Sequence, residues 1–85
     1  MRVLIPSPLV MYTKASEVQA AGATVDEVLL DLDRRFPGIR FRMVDEQGQM
    51  RRHVRFFVNN EQVRDVSFAL KPTDELNIVQ ALSGG

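Results

Sequence analysis

The spacing of apolar residues changes repeatedly along this chain, and each change marks an element. Arg2-Val3-Leu4-Ile5 is a short β-type run, closed by Pro6 and Pro8, which have no N–H to give to a sheet. Leu9 to Lys14 fits neither period and reads as a loop or irregular turn. Ser16 to Ala20 is a modest second strand ended at Gly22, so the first two strands are expected to pair as a hairpin through a short prolyl connection.

The clearest pattern follows. Thr24 with Glu27 is a capping box, in which the hydroxyl accepts from the Glu27 amide while the carboxylate reaches back. Val25, Val28, Leu29, Leu32 and Phe36 then fall on one helical face. Asp26 and Glu27 in the first turn and Arg34 and Arg35 in the last complement the helix dipole, and Pro37-Gly38 stops the helix. About twelve residues at ~1.5 Å each give ~18 Å, enough to lie across a small sheet.

Ile39, Phe41, Met43 and Val44 are spaced too irregularly for a long element and predict a short turn or helical fragment, with Asp45 to Gln49 a polar turn after it. Val54 to Val58 predicts a strand with Val54, Phe56 and Val58 on its covered face. Asn59-Asn60 tolerates left-handed geometry and makes a hairpin turn, from which Gln62-Val63 returns. After a turn at Lys71 to Asp74, Glu75 to Ala81 alternates, with Leu76 and Ile78 inward and Asn77 and Val79 outward.

One amphipathic helix needs a surface to cover, and a four- or five-stranded mixed sheet supplies it. With the first and last strands as parallel neighbours in the middle, the fold class is α+β and the architecture a β-grasp. Residues 1–81 form that domain and residues 82–85 a flexible tail. At 85 residues the chain makes one domain, and 45% apolar and 26% charged residues are ordinary globular usage. Eleven basic and eleven acidic side chains cancel, which removes any general attraction to nucleic acid or anionic membranes. No apolar run is long enough to cross a bilayer or form a signal-peptide core, so the expected location is the cytoplasm.

The same composition excludes most catalytic chemistry. Without cysteine the chain holds no disulfide, zinc-thiolate site or thiol nucleophile. Its glycines form no phosphate-binding loop, and no nucleophile–base pair can be assembled, so no residue is assigned a catalytic role. His53 is the only histidine, read as an ordinary residue at a strand start. The acid pairs Asp31 with Asp33 and Asp45 with Glu46 are read as solvated surface, so no metal site is expected. Arg51, Arg52, His53 and Arg55 with Phe57 nearby form a basic cluster. Sheet surfaces that hold RNA interleave basic and aromatic residues this way, but one aromatic in a neutral chain fits steering of an acidic protein partner better.

What remains is Gly84-Gly85. At ~7% glycine usage a chain ends in two glycines by chance about once in two hundred cases, and here the pair follows a sheet strand through a short exit. Taken with the early strand Val3-Leu4-Ile5, the helix to Phe36, the hairpin Phe57 to Arg64, the acidic turn and the alternating last strand, the chain resembles the ThiS/MoaD family of ubiquitin-like sulfur carriers over nearly its whole length. The hairpin and the Arg51-to-Arg64 stretch look most like the cysteine-biosynthesis branch. The small-subunit branch of molybdopterin synthase usually has a proline in the exit, where this chain has Gln80-Ala81-Leu82.

The resemblance implies a carrier, not an enzyme, that binds no cofactor itself. Its terminal Gly85 carboxylate would be adenylated by a ubiquitin-activating-type adenylyltransferase using ATP. Sulfur from a persulfide donor would then give a thiocarboxylate for a sulfur-accepting synthase. Activation is needed because a carboxylate is a poor electrophile until its oxygen becomes a leaving group. Gly84 lets the tail thread a narrow channel, and four extended residues reach ~13 Å. Docking is expected to fall to Phe57, Val79 and Leu82, apolar residues outside the core, with Arg55 beside them. The alternatives are a molybdopterin-synthase small subunit, a ubiquitin-like modifier conjugated through Gly85, and a β-grasp binding module with an inert tail.

Overall fold

The computed structural model describes residues 1–80. Nine elements follow one another: β1 (Arg2–Leu4), a 3-10 turn (Ser7–Leu9), α1 (Val10–Thr13), β2 (Glu17–Gln19), α2 (Val25–Arg35), α3 (Ile39–Met43), β3 (Val54–Val58), β4 (Glu61–Val63) and β5 (Glu75–Gln80). The strands form one mixed sheet in the order β2-β1-β5-β3-β4. β1 runs parallel to β5, and β3 runs antiparallel to β5 on its other side, so the last strand occupies the centre.

The period-2 pattern decides the covered face. Val3 lies opposite Leu76, and Phe56 lies between Ile78 and Val63; all five are buried on the helix side. Val25, Val28, Leu29 and Leu32 of α2 close over them, joined by Ile39 and Met43 of α3. Leu29, Leu32, Phe56, Leu76 and Ile78 therefore share one core, and Phe36 packs partly buried at its edge.

The capping box forms with one change of partner. Thr24 Oγ1 accepts from the Glu27 amide at 3.2 Å, whereas the Glu27 carboxylate takes the Ala23 amide at 3.0 Å, one residue before the cap. Beyond the helix, Gly38 turns the chain at φ 97° and Asp33 accepts from the Gly38 and Arg40 amides. Arg40 then reaches back to Asp26 through Nε at 3.1 Å and Nη2 at 2.6 Å, tying α3 to the start of α2.

Leu9 to Lys14 departs from the expected loop. It coils into the 3-10 turn and α1, because Pro8 is tolerated in a first helical turn and because Leu9 and Thr13, four apart, are both buried. Only four α-helical residues form before Lys14 turns left-handed at φ 60°. Hence β1 and β2 do pair antiparallel, but the link from Ile5 to Ser16 is a helical detour, not a short turn. At the other hairpin, Asn59 and Asn60 take φ 51° and 73°, the two successive left-handed residues that match strand twist. No helix among the described residues is long and apolar enough to cross a membrane.

Candidate functional site

Among the described residues, the helices cover one face of the sheet and leave the other open. On that open face Arg2, Leu4, Phe57, Asn77 and Val79 alternate with the core residues, as the pleat requires. Leu4 and Phe57 flank Asn77 from either side, and Gln62 stands beyond Phe57. One pleat further along β5, Val79 lies opposite Arg55. Val79 is 42% exposed and Phe57 is half-buried by its neighbours. Phe57, Val79 and Arg55, three of the four proposed docking residues, thus share one side of the sheet near the end of β5. Leu82 lies outside the described residues, as do Gly84 and Gly85 and the whole proposed tail.

Leu4 belongs to this face but is missing from the residues singled out by sequence. The signal was there: Val3 and Ile5 inward leave Leu4 outward. Beside it, Arg2 bridges Glu17 of β2 at 3.0 Å and Glu75 of β5 at 2.7 Å, spanning three strands. The hydrogen bond and charge of Glu17, followed by the charge of Glu75, raise the Arg2 pKa and keep it charged.

The opposite end of β5 is fixed by a polar clamp. Asn59 Nδ2 donates to Asp74 at 2.8 Å, and Asn59 Oδ1 accepts the Glu75 amide at 3.0 Å. Asp74 also accepts the Lys71 amide at 2.8 Å, and that bond, followed by the Asn59 amide, lowers its pKa. At its other end β5 is held by Gln80, the last described residue, which pairs with Val54.

At that end lies a cleft of about 330 Å³, lined by Phe41, Arg42, Arg51, His53 and Gln80. Phe41 is 53% exposed, because α3 turns only Ile39 and Met43 into the core. The Arg51 guanidinium stacks 4.5 Å above the Phe41 ring and donates to its carbonyl at 2.7 Å. Arg55 folds over the Arg52 carbonyl. His53 is exposed in the turn before β3, not in the strand. This cleft escaped the sequence reading because it joins α3, a turn and the last residue of β5, which no local spacing connects.

Asp31, Asp33 and Asp45 of the acid pairs are engaged by the chain itself. Asp31 accepts the Ala21 amide at 3.0 Å and pairs with Arg34 and Arg35, which together lower its pKa, the amide most. Asp45 accepts the Gln47 and Gln49 amides, both at 2.9 Å. No cluster of His, Asp and Glu suited to a metal ion occurs among the described residues.

A central β5 between a parallel and an antiparallel neighbour, one covering helix and an open opposite face define a ubiquitin-like β-grasp protein. The chain belongs to the ThiS family, whose model it matches over residues 3–85. It is 34% identical over 89 aligned positions to the sulfur carrier protein CysO of Mycobacterium tuberculosis, covering 98% of this chain and 96% of that one. It superimposes with a TM-score of 0.91 on a chain from the crystal structure of the Amycolatopsis orientalis BexX/CysO complex, at 36% identity over 99% of this chain and 98% of the other. The solution structure of small archaeal modifier protein 1 from Methanosarcina acetivorans shares the fold, with a TM-score of 0.82 at 24% identity over 99% and 94% of the two chains. The chain is a sulfur carrier protein, as the sequence resemblance implied.

Proposed function

We propose that the chain carries sulfur as a thiocarboxylate on Gly85, for cysteine biosynthesis in the cytoplasm. The Gly85 carboxylate attacks the α-phosphate of ATP in an adenylyltransferase, releasing pyrophosphate and leaving an acyl-adenylate. The terminal sulfur of a donor persulfide then displaces AMP, and a thiol cleaves the resulting S–S bond to leave the thiocarboxylate. A sulfur-accepting synthase takes that sulfur. The chain's own task is to present an end that fits several active sites in turn, and Gly84 supplies the narrow, torsionally free backbone for it.

The observation that supports this reading best is the placement of β5. The proposed reacting end follows in sequence from the central strand, which β1 holds in register along Glu75 to Asn77 and β3 holds along Leu76 to Gln80. The family match continues through residue 85, and a relative crystallised in complex with BexX is consistent with function through docking to other proteins. The test is the intact mass of the protein after incubation with an adenylyltransferase of the family, ATP and a persulfide donor. The expected product carries one oxygen replaced by sulfur, and deletion of Gly85 abolishes it. A Gly85-deleted chain sulfurated at the wild-type rate would refute the mechanism. Mass added to a lysine of a second protein, with no sulfur exchange, would establish the modifier instead.

A further inference from the structure

The arginines of this neutral chain divide into two groups by what they touch. Arg2, Arg34, Arg35 and Arg40 each hold a carboxylate within 4.0 Å. Arg42, Arg51, Arg52, Arg55 and Arg64 have no carboxylate partner among the described residues. The unpaired ones gather at one end of the molecule. Arg42 and Arg51 line the cleft beside Gln80, and Arg51, Arg52, Arg55 and Arg64 line an adjoining hollow of about 150 Å³ over the start of β3 and the end of β4. Arg51 is the wall between the two.

Of the acids nearest in sequence, Glu46 and Glu61 form no ion pair with these arginines among the described residues, and Asp45 and Asp65 are committed elsewhere. Asp45 is turned onto the Gln47 and Gln49 amides, and Asp65 onto the amide and hydroxyl of Ser67 at 2.8 and 2.7 Å. Zero net charge therefore hides a strongly polarised molecule, and a concentrated positive field at one end steers anionic surfaces toward it. The cleft adjoins Gln80, the last described residue of β5, so a protein that grips the residues following it would meet this surface.

Two features favour a protein over a nucleic acid. Single-stranded RNA needs open aromatic faces to stack on. Here the Arg51 guanidinium lies over Phe41, and Phe57 is half-buried in the sheet. A peptide brings both carboxylates for the guanidinium groups and N–H donors for Gln80 Oε1, which is buried at the cleft without a partner among the described residues. Exposed Val79, paired with Arg55, adds the apolar contact found beside arginine in protein interfaces.

We infer that the arginine-lined end of the sheet around Gln80, with the Phe41–Arg51–His53 cleft at its centre, is the docking surface for an acidic segment of the protein that handles the chain's end. The inference rests on the carrier reading only for the identity of that protein. Its test uses no activating enzyme, so the two can fail separately.

The test is fluorescence anisotropy with labelled deca-glutamate and labelled deca-uridylate as probes, on the full chain. The wild type is expected to bind the peptide more tightly than the RNA, with affinity falling as salt rises from about 0.01 to 0.15 M and the Debye length shrinks from ~30 to ~8 Å. The triple variant Arg42→Gln, Arg52→Gln, Arg64→Gln leaves the Arg51–Phe41 stack in place and is expected to bind at least tenfold more weakly. The control Lys14→Gln, Arg34→Gln, Lys71→Gln removes the same charge away from the cleft and is expected to retain binding within twofold. Amide shift changes on adding peptide should centre on Arg51, His53 and Gln80. Absence of peptide binding, equal losses in both variants, or tighter binding of the RNA would each overturn the inference.

Discussion

Val79→Thr separates docking from folding on the open face. The substitution keeps the β-branched shape and strand preference of valine and exchanges one methyl for a hydroxyl. In the free protein Val79 is 42% exposed at a surface position of β5, so the hydroxyl reaches water and the folding free energy should change by less than ~0.5 kcal/mol. Docking of a partner on this face removes that water. A hydroxyl buried without a hydrogen bond costs ~1–3 kcal/mol on the protein mutational scale. At ~1.4 kcal/mol per tenfold, the dissociation constant for the activating adenylyltransferase should rise ~5- to 150-fold. Titration calorimetry with that enzyme reads the affinity, and a thermal melt of the isolated carrier reads the fold. Val79→Ile, which stays apolar, should bind within a few-fold of wild type. Unchanged affinity for Val79→Thr on an unchanged fold would remove Val79 from the interface and refute the argument that the open face docks.

Other perturbations follow from the same geometry. Leu29 is fully buried beneath the sheet, so Leu29→Ala should cost ~2–5 kcal/mol out of the ~4–13 kcal/mol available to a domain of this size, a loss plain in denaturant titration. Gly84→Val should melt like wild type yet accept sulfur far more slowly, because a branched Cβ widens and stiffens the backbone; intact mass over time reads the rate. Asp31 and Asp74 have lowered pKa values in the folded protein, so the unfolded chain binds more protons around their titration range. Their stabilising effect is present above the unfolded carboxylate pKa and lost as pH falls through the folded one, so melts should drop from about pH 5 toward 2. Asp74→Asn should flatten that drop, and an equally steep one would discount the clamp at the start of β5.

Periodicity made the fold legible where an element buries one face through its own residues. Val25, Val28, Leu29 and Leu32 show 3.6-residue spacing, and Val54, Phe56 and Val58 show a spacing of two, so both elements fall where the pattern puts them. The left-handed Asn59-Asn60 turn was equally local, since asparagine adopts that conformation readily. Leu9 to Lys14 was opaque because a four-residue helix has too few turns to show a period; burial of Leu9 and Thr13 by the rest of the molecule makes it helical. Of the candidate site, alternation in β3 and β5 revealed Phe57, Val79 and Arg55 as outward residues. The cleft remained hidden because Phe41, Arg51 and Gln80 meet only through tertiary packing, and the Phe41–Arg51 stack spans ten positions without any repeat.

In the proposed mechanism the carrier needs no acid, base or nucleophile of its own and would influence reaction through position. The registry Val54↔Gln80 is the last pairing among the described residues. Five residues span at most about 17 Å, so a partner that seats the sheet correctly limits the reacting carbonyl to a small volume. A misplacement of ~1 Å is enough to slow a reaction greatly, so rigidity of β5 matters to chemistry that takes place beyond it. That rigidity comes from the sequence in three ways. Leu76 and Ile78 lock β5 to the core, the Asn59–Asp74 clamp fixes its start, and pairing with β1 along Glu75 to Asn77 and with β3 along Leu76 to Gln80 holds its backbone in place. The outward residues of the same strand and its neighbours lie on the face proposed for docking. On the proposed reading one alternating strand divides the work: its inward side fixes the position of Gln80, and its outward side, with the arginines around it, would set which protein receives the end.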